Sequence, residues 1–99
     1  MEYPHSQRKQ VISEFGGMTI DMDYMLCIPS IHAIYDQSSV IIDFCGHIHD
    51  MQGEFLNEKI ELLKKWIALH KDEILKNHER CGHNEFPLEP ISPWSEETV

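Results

Sequence analysis

The chain has 99 residues and a formal net charge of -9, from 17 acidic and 8 basic side chains. That length makes one domain, with a core near the lower limit for unaided folding, and that charge argues against direct nucleic-acid binding, which needs clustered lysine and arginine. No apolar run approaches the about 20 residues that span a bilayer, and the opening MEYPHSQRKQ lacks the apolar stretch of a secretory signal, so the expected compartment is the cytoplasm and no membrane contact is expected.

Residues 1–10 are polar and aperiodic and read as a flexible arm. VISEF then meets Gly16-Gly17, a two-residue hairpin signal. In MTIDMDYML, Met18, Ile20, Met22 and Tyr24 alternate with Thr19, Asp21 and Asp23, the pattern of a half-buried strand. Pro29 breaks it, because proline cannot donate to a central ladder. IHAIYD resumes with Ile31, Ala33 and Tyr35 on one face. After the turn QSS, VIIDF places Val40, Ile42 and Phe44 inward and Asp43 outward. Connections this short join antiparallel neighbours, so the four runs form a meander. Gly46 bends the chain, and HIHDMQGEF is either a short fifth strand or a loop.

From Asn57 the period changes. Ile60, Leu63, Ile67, His70, Ile74 and His78 follow a 3-and-4 spacing, one face of a helix. Asn57 is placed to cap it and Gly82 to end it, giving one rod of roughly 24 residues and about 36 Å. The rod covers the apolar face of the sheet. The tail, FPLEPISPW, has three prolines and runs extended, with Phe86, Leu88 and Trp94 as anchors. The expected fold is therefore α+β: an antiparallel meander of four to five strands against one long C-terminal helix, with a Pro-rich tail. The expected divisions are the arm 1–10, a single domain 11–81 and the tail 82–99.

Charge is unevenly placed. No lysine or arginine lies between Lys9 and Lys59, a stretch that holds Glu14, Asp21, Asp23, Asp36, Asp43, Asp50 and Glu54. Three cysteines, Cys27, Cys45 and Cys81, make no even disulfide framework.

PSIHAIYDQSSVIIDF, then GEFLNEKIELLKKWIALHKDEILKNHE, then PLEPISP, together resemble a small prokaryotic family called domain of unknown function 4160. The resemblance runs from Val11 to Trp94, with Pro29, His32, Ala33, Trp66, His70, Asp72, Glu73 and Leu75 as its markers. It implies a small α+β domain, often one half of a toxin–antitoxin-like gene pair, with no settled activity. The family pattern usually carries a turn of the form His-x-Pro-Pro-His-x-His. Aligned on LCIPSIH, this chain keeps Pro29 and His32 but has Leu26 and Ser30 where the other two histidines fall.

Three constellations carry chemical expectations. The sequence says CGH twice, so Cys45, His47, Cys81 and His83 offer the two sulfurs and two nitrogens of a structural zinc. Cys-x-His is tighter than common zinc spacings, and glycine turns explain both triplets without a metal, so no cofactor is assigned. Asp21, Asp23 and Asp43 share the outer face of the meander with His32, which suits either a hard cation with acid–base catalysis or an acidic docking surface. Trp94, beyond the prolines, anchors on the domain itself or on a partner.

Two functions follow. The first is a small acidic, non-enzymatic regulatory or inhibitory module of toxin–antitoxin or mobile-element type. It would bind a protein with a basic surface through Asp21, Asp23, Asp43 and Trp94. The alternative is a metal-dependent toxin enzyme acting on RNA or another phosphate ester through His32 and the same aspartates. A homodimer is compatible with either.

Overall fold

The computed structural model describes residues 11–23, 28–83, 85 and 87–94. The arm 1–10, Tyr24 to Cys27 and Phe86 therefore lie outside the described residues, and so do the expectations placed on them. Five strands, β1 (Val11–Phe15), β2 (Met18–Asp23), β3 (Ser30–Tyr35), β4 (Ser38–Asp43) and β5 (Ile48–Gln52), pair antiparallel in chain order. The stretch left open between strand and loop is thus a strand, at the edge of the sheet.

Hairpin chemistry sets the register. Gly16 and Gly17 both have positive φ, at 61° and 78°, which is the twist a two-residue hairpin needs and which residues with a Cβ resist. A Cβ at Gly16 would also come within 3.1 Å of Leu62, and one at Gly17 within 3.1 Å of Tyr35. The β3–β4 turn falls on Asp36 and Gln37, with Asp36 at φ 59°; Ser38 and Ser39, expected in the turn, begin β4 instead. Aspartate tolerates that left-handed conformation better than most residues.

The helical segment is two helices rather than one. α1 spans Asn57–Leu69 and α2 spans Lys71–Gly82. His70 separates them with φ -119° and ψ 30°. No proline or glycine causes the break. The sequence restarts a helix there: Asp72 and Glu73 occupy the first turn of α2, where the helix end is positive, and Glu73 reaches back to the His70 imidazole. Leu56, not Asn57, holds the N-cap position of α1, and Gly82 is the last residue of α2 rather than a left-handed cap.

Met18, Ile20, Met22, Ile31, Ala33, Val40 and Ile42 from the sheet are buried with Ile60, Leu63, Trp66, Ile67 and Ile74 from the helices. Trp66 is the largest of these; its ring lies 5.1 Å from that of Phe15, and its Nε1–H donates to the Ser92 carbonyl at 2.8 Å.

The tail seals the remaining gap. Residues 87–94 have no regular secondary structure, yet Leu88 and Ile91 belong to the core and Trp94 packs against it. The fixation is polar as well as apolar. Asn77 is 1 % exposed and clamps both backbone groups of Glu89: Nδ2–H donates to its carbonyl at 2.8 Å and Oδ1 accepts from its amide at 2.9 Å. Arg80 donates to the Pro87 carbonyl, and the Ile91 amide donates to the Ile12 carbonyl on the free side of β1.

Candidate functional site

Because side chains alternate along a strand, the residues between the buried positions share the outer face of the sheet. The register lays them in rows. One row crosses from Val11 to Asp21, His32, Ile41 and Asp50; another holds Asp23, Ser30 and Asp43. The three aspartates and His32 are thus brought onto one face, as the alternation predicts.

Their surroundings differ from the expected open, charged surface. Asp21 is 6 %, Asp23 8 % and Asp43 2 % exposed. Buried carboxylates need hydrogen bonds to remain ionised. Asp21 sits opposite His32, whose Nδ1 lies 3.2 Å from Oδ1. Between Asp23 and Asp43, Ser30 is fully buried and donates to the Ile28 carbonyl at 2.9 Å.

Asp43 organises the turn that follows β4. Its Oδ1 accepts from the amides of Cys45 at 2.9 Å and His47 at 3.0 Å. Its Oδ2 lies 2.7 Å from Nε2 of His49 and 3.5 Å from Nδ1 of His47. Backbone bonds from Asp43 to the His47 carbonyl and from Gly46 to the Asp43 carbonyl tighten the same loop, with Gly46 at φ 95°. Burial alone would raise this carboxyl. The hydrogen bonds from His49, the His47 amide and the Cys45 amide, with the nearby His47 charge, outweigh burial and hold the Asp43 pKa below its ordinary value.

The first CGH triplet is therefore a turn built on a carboxylate. Cys45 and His47 are exposed there, on one wall of a cleft of about 350 Å³ whose other wall carries Lys64 of α1 and Lys71 at the start of α2. The second triplet is a helix end: Cys81 and Gly82 close α2, and the exposed His83 donates its amide to the carbonyls of Glu79 and Arg80. Cys81 packs against the core. Among the described residues no three histidine, cysteine, aspartate or glutamate side chains converge to hold a metal ion, in these triplets or on the sheet.

The negative surface lies elsewhere. Glu14, Asp36, Asp50 and Glu54 are exposed along the strand ends and the β5 edge. None of the five strands carries a lysine or arginine. Val11, Ile34, Ile48 and Met51 are exposed large apolar side chains on the same sheet. The pairing of His49 with Asp43 was not foreseen from the sequence, because it forms only when β5 folds back on β4. Trp94 is half-buried against its own core.

Fold and site together define a small α+β protein: a five-stranded antiparallel meander, two helices on its inner face, and buried aspartates paired with histidines on its outer face. Over residues 24–79 of its 99 the chain matches the family described as domain of unknown function (DUF4160), and it belongs to that family. No curated protein and no solved structure matches the chain. Among the described residues no helix is long and apolar enough to cross a membrane.

Proposed function

We propose that this chain is a non-enzymatic regulatory or inhibitory module that binds a partner protein with a basic surface, as one half of a toxin–antitoxin or mobile-element pair. The observation that carries the reading is the sheet surface. It has exposed acids at Glu14, Asp36, Asp50 and Glu54, exposed apolar side chains among them, and no lysine or arginine on any strand. Such a surface attracts and orients a cationic partner. The contact residues of this proposal are thus the exposed acids. Asp21 and Asp43 act structurally, through His32 and through the turn.

One observation favours the second reading, a metal-dependent toxin enzyme acting on RNA or another phosphate ester. Asp23 and Asp43 flank Ser30, and His32 stands two residues further on the same strand. In the family's histidine turn, Ser30 takes a histidine's place, and His32 is the member retained. A chain that has lost the other histidines fits a binding role better than a catalytic one.

Affinity capture from the native host's lysate tests the first reading. A protein partner should be held at low ionic strength and released near 1 M salt, where charges are screened beyond about 3 Å. Recovery of none, or of one indifferent to salt, overturns it. Growth arrest on expression, abolished by His32→Ala with Asp23→Ala, would establish the enzyme instead.

A further inference from the structure

We propose that β5 is the docking edge of this module, and that the partner adds to it as a sixth strand an extended segment alternating apolar and basic residues. This rests on the protein-binding reading above and specifies where and how the partner binds.

The strand ends the sheet, and among the described residues it pairs with β4 alone. All five of its residues are exposed. An edge strand presents a row of backbone donors and acceptors that can template another strand, and proteins usually blunt it with lysine, proline or a cover. β5 has neither lysine nor proline. Its protections are one acid, Asp50, and a register shift near His49. The opposite edge contrasts with it: there the tail donates to the Ile12 carbonyl of β1.

Register fixes the chemistry of the occupant. Ile48 lies opposite Ile42 and Met51 opposite Val40, so both continue the apolar rows of the inner face, yet they are 42 % and 41 % exposed. An added strand with apolar residues on that side would cover them. Asp50 lies opposite Ile41 and Gln52 opposite Ser39, on the outer face. A lysine or arginine facing outward beside Asp50 would pair with it across the strands, with Glu54 just beyond. A second copy of this chain is a poor occupant. Its own β5 offers an aspartate instead of a cation, and each copy carries -9.

The test uses the full, isotopically labelled chain and three synthetic peptides: alternating lysine and valine, the same lysine–valine peptide N-methylated at every backbone amide, and alternating glutamate and valine. The lysine–valine peptide should bind saturably, shift the amides of residues 48–52 and slow their hydrogen exchange. The N-methylated peptide, which has no backbone N–H to give a ladder, and the glutamate–valine peptide should do neither. Asp50→Asn, at an exposed site that leaves the fold intact, should weaken the lysine–valine peptide roughly two- to fivefold. Equal binding of both lysine peptides, shifts spread over the whole acidic surface, or no shift at all overturns the proposal. Concentration-dependent protection of β5 without peptide replaces it with a homodimer. A lysate partner held equally by wild type and Asp50→Lys would refute the docking edge while leaving the binding function in place.

Discussion

Asp43 differs from the acids exposed around it in what the fold asks of its charge. It is 2 % exposed and holds two amides and an imidazole in one turn. Asp43→Ala leaves those donors to water or to nothing and should lower unfolding free energy by about 2 kcal/mol in denaturant titration. The pH dependence has a definite sign. A folded pKa held below the ordinary value of 3.8 contributes stability that is fully present above that value and is lost as pH falls through the folded pKa. Wild type should therefore lose stability faster than Asp43→Asn as pH is lowered below about 4, measured by thermal unfolding across that range. The outward direction of Asp43 was legible from strand alternation. Its burial was not, because that depends on His49 returning from the next strand. The turn itself had a sequence signal: aspartate followed by glycine three residues later is turn chemistry.

Elements were legible to the degree that one of their faces is buried. β2, β3 and β4 alternate because their inner faces meet the helices. β5 is exposed at every position, so nothing imposes alternation on it, and its sequence looks like a loop. The helical spacing located α1 and α2 but passed over their junction, since the apolar stripe continues from Ile67 to Ile74 across His70. Asp72 and Glu73 were the available sign of a second helix start. The Asn77 clamp was invisible for another reason: an asparagine on a helix stripe reads as polar surface until a tail arrives to bond it. Asn77→Ala should cost about 1–3 kcal/mol, since both backbone groups of Glu89 lose their partner. It should also speed proteolytic cleavage between residues 85 and 94, followed by mass spectrometry.

For the molecule as a whole, the tail is part of the core. Burying a leucine or isoleucine stabilises by about 1.5–3 kcal/mol, and Leu88 and Ile91 are 6 % and 3 % exposed. Truncation after Gly82 should therefore lower stability by about 3–6 kcal/mol in chemical unfolding, a large share of the roughly 5–15 kcal/mol available to a domain. Trp66→Phe in the intact chain keeps most of the burial but loses the bond to Ser92, and should cost about 1–2 kcal/mol. Salt should raise the melting temperature, because a chain of -9 repels itself. The family and the overall charge were readable without coordinates, since they reside in local words and in sums. Which acids face water was not, because that is decided between strands.

The bond between the Ile91 amide and the Ile12 carbonyl joins the first strand to nearly the last described residue. A ribosome makes β1 long before it makes the segment that seals it. Until residue 91 emerges, the nascent sheet keeps an open flank and Trp66 lacks its acceptor at Ser92. Folding of this domain is thus gated by the emergence of residues 91 and 92, and products terminated before them should be the forms that quality-control proteases clear first.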